Sequence, residues 1–561
     1  MFSDKKQVLI LASLLEAHGI RHVVLCPGSR NIALVHTLSA MPSLTCHAVT
    51  DERSAAFFAL GLALQSQTPA AVCCTSGTAL LNFHPAVAEA FYQEVPLLVL
   101  SADRPARWIG QMDGQTLPQP NVFQNLVKAS VNLPEVANAS DEAYCTRLVN
   151  EALLALTHHT PGPVHINVPI TEPFFDTPID TLPVVSKVER LWGTALEKAL
   201  PHLAQSFEEA SRRLAVVGQM PFTIDCQDLA NTTLSHSVCW VGEHLANHQA
   251  PAPLVGTFDR VLAALSDNQR AKLAPDFLIT FGGHIVSKAL KQTLRQHPPK
   301  VHWHIDPQGR VIDLFGALTH VIEMEPARFF SALMPYLTDS LSNAYPRQWA
   351  TLKEALPPLQ YAWSSIGATG KVLQALPTDA VLHLANSSVI RYAQPFSIPK
   401  RVTVYANRGT SGIEGSLSTA VGFAAADRRL NVMMIGDLSF FYDMNALLNV
   451  AKMGIPHLRI VLLNNACGEI FHALPGLSLD EKGRRYIAAE HQTTAKAWAE
   501  DQGFDYEAIH SYDELNATLP TFMTLQSQKP QLIEIFTDPV IDIRELRAMK
   551  RADEAALMNR L

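Results

Sequence analysis

Ten apolar runs of strand length recur along the chain, each followed by a helical pattern and most closing on glycine, serine, asparagine or aspartate. They read HVVLCPG, AAVCCTSG and PLLVLSAD in the first part, LAVVGQM, FLITFGG and VHWHIDP in the middle, and AVLHLAN, VTVYANRG, VMMIGD and RIVLLNN in the last part. A strand that is apolar at nearly every position buries both faces, which requires helices on both sides of the sheet, and strand–helix alternation joins such strands in parallel. The expected fold class is α/β, with doubly wound parallel sheets. Ligands of such sheets collect at the carboxyl ends of the strands, where loops are free and helix N-termini present unpaired N–H groups. The polar residues that close the runs are therefore where chemistry is sought.

At 561 residues the chain is too long for one core, and 48% hydrophobic residues is enough to fill about three. Proline-rich or polar stretches at 167–183 and 342–358 read as linkers. Three blocks result, 1–180, 190–335 and 355–561. The first and third share a plan. Glu52 opens a small-residue helix, followed by a strand, the loop TSGTA, a helix and the strand LLVLSAD. Glu414 opens another, followed by a strand, the loop IGDLS, a helix and the strand LRIVLLNN. The distance from Gly77 to Pro96 and that from Gly436 to Pro456 differ by one residue.

A net charge of -8 with only 44 Lys+Arg offers no basic stripe to a phosphate backbone, so small molecules rather than nucleic acid are the expected ligands. The eight cysteines form no CxxC pair, and vicinal Cys73-Cys74 is poor geometry for a disulfide. They read as reduced thiols of a cytoplasmic enzyme. Glu16 and His18 interrupt the first apolar run at helical spacing, which favours an amphipathic first helix over a signal peptide. No apolar run is long enough to cross a membrane.

Within residues 432–471, Gly436-Asp437 closes one apolar run and Asn464-Asn465 closes the next. Singly, Asp437 reads as a helix cap and the asparagines as a turn. Together, a carboxylate, an amide oxygen and a backbone carbonyl from the following loop make half of an octahedral oxygen shell, which suits Mg2+ when a diphosphate supplies the rest. The dipole of the helix after Gly436 would add to the ion's attraction for that diphosphate.

The spacing of Asp437 and Asn465 resembles that of the thiamine-diphosphate-dependent enzymes, whose strand-end Asp and a later Asn hold the metal and diphosphate. This chain carries Leu438 where that family usually has glycine. The resemblance implies thiamine diphosphate and Mg2+ as cofactors, with Mn2+ as an alternative ion. It implies Asp437, Asn465 and the Cys467 carbonyl as metal ligands, and Leu438 and Ser439 beside the cofactor. Glu52 matches the glutamate that hydrogen-bonds the aminopyrimidine and helps deprotonate the thiazolium C2. Ile413 matches the apolar residue that bends the two rings together. Singly, Glu52 would read as a helix-start glutamate and Ile413 as core.

The stretches CPGSR, DER, TSGTA, ADRP, NSSVIR and NRGTSGIEG resemble more narrowly the branch acting in menaquinone biosynthesis. Its members decarboxylate 2-oxoglutarate and add the succinyl unit to isochorismate, forming 2-succinyl-5-enolpyruvyl-6-hydroxy-3-cyclohexene-1-carboxylate. Both substrates carry two carboxylates, which the planar fork of arginine meets in paired hydrogen bonds. The resemblance places Ser387, Arg391 and Arg408 near the succinyl group, and Ser29, Arg30, Arg104, Gln115 and Lys288 around isochorismate. It further implies a homodimer or homotetramer with sites at the subunit interface. Ala289 stands where a second basic residue is common, so Lys291 is a candidate to help grip isochorismate, and Gly114 stands where asparagine is common. Another thiamine-diphosphate 2-oxo-acid decarboxylase or carboligase stays open as an alternative. A dinucleotide-binding protein is less favoured, because the glycines of RGTSGIEG fall as GxxGxxG rather than GxGxxG.

Overall fold

The structure is a computed structural model that describes residues 1–174, 178–220, 233–247, 257–338, 341–399, 401–473, 479–558 and 560. The chain divides into two compact units, Met1–Trp192 with Gly309–Glu323, and Gly193–Gln308 with Met324–Leu561. Among the described residues eighteen strands form three sheets, and every ladder described between named strands is parallel.

The first unit holds β1 (His22–Leu25), β2 (Thr45–Ala48), β3 (Ala70–Cys74), β4 (Leu97–Asp103), β5 (Ala129–Asn132) and β6 (Val164–Pro169), in the order β2-β1-β3-β4-β6-β5. It also holds the short ladder of β7 (Glu189–Leu191) with β12 (His320–Ile322). In the second unit β8 (Arg213–Val217), β9 (Cys239–Gly242), β10 (Phe277–Phe281) and β11 (Val301–Ile305) pair in the order β11-β10-β8-β9. The remaining sheet of that unit comprises β13 (Val381–Leu384), β14 (Thr403–Tyr405), β15 (Asn431–Gly436), β16 (Leu458–Asn464), β17 (Asp505–Ile509) and β18 (Gln531–Phe536), in the order β14-β13-β15-β16-β18-β17.

The strand orders of the first and last of these sheets are the same when β1 is matched to β13 and onward, so the common plan read from the sequence extends to topology. The continuous apolar runs are explained by burial on both faces. Val23, Ala71, Cys73, Leu98 and Leu100 enter one core and Val24, Val72, Cys74, Leu97 and Val99 the opposite one. Val432, Met434, Val461 and Leu463 likewise alternate with Met433, Ile435, Ile460 and Leu462. Vicinal Cys73 and Cys74 thus project to opposite faces. The seven described cysteines are all free thiols, while Cys226 lies outside the described residues.

Three readings are corrected. The stretch 342–358 is not a linker: most of it is the helix Ala344–Ala355, in which Tyr345, Trp349 and Leu352 are buried at helical spacing despite the flanking prolines. The first residues of 167–183 are not a linker either, because β6 continues to Pro169, and residues 175–177 lie outside the described residues. Glu414 does not open a helix. Gly415, with φ 76, caps the helix Ser416–Ala426, which leaves Glu414 exposed in the turn before it. Glu52 is the first residue of the helix Glu52–Ser66. The helix Lys6–Ala17 precedes β1.

Candidate active site

Strand order reverses between β13 and its two neighbours: the chain leaves β13 for β14 on one side and returns to β15 on the other. Such a switch point opens a crevice at the carboxyl ends of the strands. A cavity of about 160 Å³ lies there, and Ser387, Ile413, Asp437, Leu438, Ser439, Asn465 and Cys467 all line it. The structure therefore brings together seven of the residues singled out in the sequence.

No loop separates β15 from Asp437, which is the first residue of the helix Asp437–Asp443. One oxygen of its buried carboxylate accepts from the N–H of the next helix residue, Leu438, at 2.6 Å, and the other from the Asn465 N–H at 3.1 Å, which ties the ends of β15 and β16 together. His491 Nε2 lies 3.4 Å from the second oxygen. Asn465 Oδ1 faces the Cys467 N–H at 3.3 Å. Burial, with Asp437 and Glu469 nearby, pushes the Cys467 thiol up to about 12, so the thiol stays protonated at neutral pH. The Ser439 hydroxyl donates to the Ile413 carbonyl, fixing the loop that carries Ile413 over the cavity.

Two residues that sequence reasoning passed over organise this crevice. Asn386 donates to the carbonyls of Asn407 at 2.8 Å and Gly412 at 2.6 Å, and its own oxygen accepts from Arg408 Nη1 at 2.6 Å. It thereby joins the β13 end to the loop bearing Arg408 and Ile413. Its place directly after a strand run was the available signal. Glu469 is buried and accepts from Asn465 Nδ2 at 2.6 Å. Burial and the neighbouring Asp542 push its carboxyl up to about 9, so it is protonated at neutral pH. In sequence, a glutamate inside NNACGEIF looks like an ordinary solvated loop residue.

The Arg391 guanidinium donates to the Ser387 carbonyl at 2.6 Å, and Ser387 itself has φ 68, a costly conformation for a serine. Arg391 lines an adjoining cavity of about 260 Å³ with Asp259, Tyr392 and Glu469. Burial, followed by mutual repulsion with Arg408, lowers the pKa of Arg391, and burial lowers that of Arg408. Arg408 Nε is buried with no hydrogen-bond partner. A desolvated cation with an orphaned donor is a standing site for an anion. Lys291 feels the charges of Glu243, Arg408 and Arg391, whereas Lys288 is exposed at the start of the helix Lys288–Gln296 and lines neither cavity.

In the first unit the equivalent switch point lies between β1 and β3. A Cβ on Gly28 would stand 2.3 Å from Thr75, so only glycine allows the two loops to close, and the Arg30 N–H donates to Thr75 Oγ1 at 3.2 Å. Arg30 is buried, bonded to Glu172 at 2.8 Å and stacked over Phe174. Arg104 reaches the Gly114 carbonyl at 2.8 Å and Asp113 at 3.3 Å. Both arginines line a groove of about 560 Å³ together with Arg107 and Trp108. Gln115, with φ 59, exchanges hydrogen bonds with Ser76 and is exposed outside that groove, and Ser29 is exposed beside Arg30. Glu52 is half-buried beyond the end of β2, where Asp51 caps its helix through the Ser54 N–H at 2.8 Å.

The crevice fits a diphosphate and its ion: hard oxygen donors converge at a helix start, an unsatisfied guanidinium N–H is nearby, and Ile413, Val389 and Leu463 give apolar walls. Comparisons with known proteins agree. The thiamine pyrophosphate enzyme N-terminal TPP binding domain matches residues 7–129, and the C-terminal TPP binding domain matches residues 386–535. A 2-succinyl-5-enolpyruvyl-6-hydroxy-3-cyclohexene-1-carboxylate synthase of Bacteroides thetaiotaomicron is 52% identical over 98% of both chains. A synthase of the same name from Phocaeicola vulgatus is 51% identical over 98% of both. One from Desulfotalea psychrophila is 38% identical over 95% of this chain and 99% of its own. With that identity sustained through both cofactor-binding domains and the segment between them, the chain belongs to the 2-succinyl-5-enolpyruvyl-6-hydroxy-3-cyclohexene-1-carboxylate synthase family of thiamine-diphosphate-dependent enzymes.

Proposed function

We propose that this chain decarboxylates 2-oxoglutarate and adds the resulting succinyl unit to the conjugated double bond of isochorismate, with thiamine diphosphate and Mg2+ bound. The observation that carries the reading is the convergence of Asp437, Asn465 and Ile413 on one cavity at the β13/β15 switch point, with the partly unpaired Arg408 held to its rim by Asn386. Asp437, Asn465 and the Cys467 carbonyl hold Mg2+, or Mn2+ in its place, and Leu438 and Ser439 flank the diphosphate. When bound, thiamine diphosphate supplies the electron sink for the carbon that loses CO2. Glu52 would hydrogen-bond the aminopyrimidine, and Ile413 would support the cofactor's rings. Ser387, Arg391 and Arg408 bind the succinyl carboxylate, while Ser29, Arg30, Arg104, Gln115 and Lys288 bind isochorismate.

The domain reading that goes with these roles takes 1–180 as the pyrimidine-binding domain, 190–335 as the central domain and 355–561 as the diphosphate- and metal-binding domain. The enzyme is a cytoplasmic homodimer or homotetramer, in which Glu52 of one chain completes the metal site of another. Exposed faces support this. The helix Glu52–Ser66 leaves Phe57, Phe58 and Leu64 41%, 46% and 50% exposed. Its counterpart Ser416–Ala426 exposes the small residues Ser418, Thr419 and Gly422.

The test is to incubate the protein with thiamine diphosphate and Mg2+ and follow CO2 from 2-oxoglutarate with and without isochorismate. The adduct is expected only with both substrates. Consumption of pyruvate in preference to 2-oxoglutarate would overturn the assignment in favour of another 2-oxo-acid carboligase.

A further inference from the structure

Away from the crevice, the turn after the helix Ala139–Ala155 carries His158 and His159, and Glu323 follows directly on β12. His158 Nε2 lies 2.6 Å from one oxygen of Glu323 and His159 Nε2 lies 2.8 Å from the other. The Glu323 side chain is only 9% exposed. We propose that His158, His159 and Glu323 bind one divalent transition-metal ion of the zinc class, with water in the fourth position.

Five observations converge on this site. The three ligand atoms lie within 4.8 Å of one another. Bonds of about 2.0–2.2 Å in a tetrahedron set ligand atoms roughly 3.4 Å apart, so the imidazoles need to rotate away from the carboxylate to admit the ion. His159 has φ 54, the left-handed conformation that a β-carbon resists, and this turn presents two consecutive imidazoles to one carboxylate. The turn is held by Lys128, whose ammonium donates to the carbonyls of His158, at 2.6 Å, and Thr160. Trp192 packs against both imidazoles, with ring centroids 6.3 Å and 4.8 Å away. On the carboxylate side, a Cβ at position 309 would stand 2.4 Å from Glu323 Oε2, so Gly309 leaves room for the side chain.

An imidazole ligates through Nε2 when its proton sits on Nδ1. Two nitrogens and one oxygen suit zinc-class ions and disfavour Mg2+, which seeks oxygen octahedra. Arg190 acts electrostatically on both His158 and Glu323, and its charge opposes the ion. The ion would pin the 309–323 segment to the turn at 158–159, segments far apart in sequence.

The probe is Co2+, titrated calorimetrically into the full chain with thiamine diphosphate and excess Mg2+ present throughout to fill the oxygen-rich crevice. One Co2+ per chain is expected, with the visible absorption of a low-coordinate ion and competition by Zn2+. His159→Asn keeps a residue tolerant of positive φ at an exposed position, and it should weaken binding roughly tenfold or more, as should Glu323→Gln. Arg190→Met should tighten it, and Asp437→Asn should leave it unchanged. Equal Co2+ affinity in a folded His159→Asn variant, or no Co2+ bound in excess Mg2+, would overturn the site.

Discussion

Asp437 and Glu52 are both first residues of helices, and in a bare sequence both look like acids attracted to a helix dipole. The structure separates them. Asp437 is buried, with each oxygen aimed at a backbone N–H of a different strand end, whereas Glu52 stands half-buried with Asp51 doing the capping beside it. Their proposed roles therefore give different phenotypes. Glu52→Gln should lower kcat by about 10²- to 10⁴-fold while thiamine diphosphate is still retained, the loss associated with a positioned acid–base group. Asp437→Asn should abolish retention of the cofactor on gel filtration with Mg2+ present. If the two variants lost the cofactor equally, the division of labour would be wrong. Arg408 was legible as a cation near a glycine-rich loop, but its value as an anion site rests on an orphaned Nε that no sequence displays. Arg408→Met should raise the KM for 2-oxoglutarate by about ten- to a hundred-fold, since a charge-assisted bond contributes roughly 1.5–3 kcal/mol. An unchanged KM would move the succinyl carboxylate elsewhere.

At the scale of elements, the sequence disclosed the strands that are apolar throughout and the repeated plan, because burial on both faces leaves an unbroken apolar record. It hid the strands that carry polar residues, such as β2 (Thr45–Ala48) and β17 (Asp505–Ile509), which lie at sheet edges where the demand for burial falls. It also misread Ala344–Ala355, since proline and polar composition stand for a loop only when no face is buried. Polar residues inside strands have an energetic consequence. His383 in β13 is buried 2.9 Å from Asn431 Oδ1, and burial holds its pKa at about 4; His165 in β6 is held at about 3. In the unfolded chain each histidine takes up a proton near its ordinary value of about 6.5, while in the fold each stays neutral until far lower pH. The unfolded state therefore binds more protons across that window. Stability is full above about pH 6.5 and falls as the pH drops, by about 1.4 kcal/mol per pH unit for each such group. His383→Gln, which can keep a bond to Asn431, should flatten the dependence of unfolding on pH between about 4 and 6.5 by close to one proton, read from denaturant melts at several pH values. An unaltered slope would mean that His383 is not excluded from protonation in the fold.

For the whole molecule, Glu52 lies in one unit, among the residues that match the N-terminal TPP binding domain, and Asp437 and Asn465 lie in the other, among those that match the C-terminal one. An arrangement in which two copies exchange these halves makes a prediction that no single substitution can test. A Glu52→Gln chain alone should keep at most about one hundredth of the parent activity, and an Asp437→Asn chain alone should be inactive. If every site takes its glutamate from one subunit and its metal ligands from another, a mixed dimer has one site with both residues intact and one with neither. Random exchange makes about half the dimers mixed, each with half its sites working, so activity should recover to about one quarter of the parent value. If each chain completed its own site, mixing would restore nothing. Recovery should require exchange of subunits, so it should appear only after mild dissociation and reassociation. Phe58→Asp, placed on the exposed apolar face of the helix that Glu52 begins, should lower both the recovered activity and the molecular mass in solution. A chain that lost mass but kept full activity would place the glutamate and the metal ligands of each site on the same subunit.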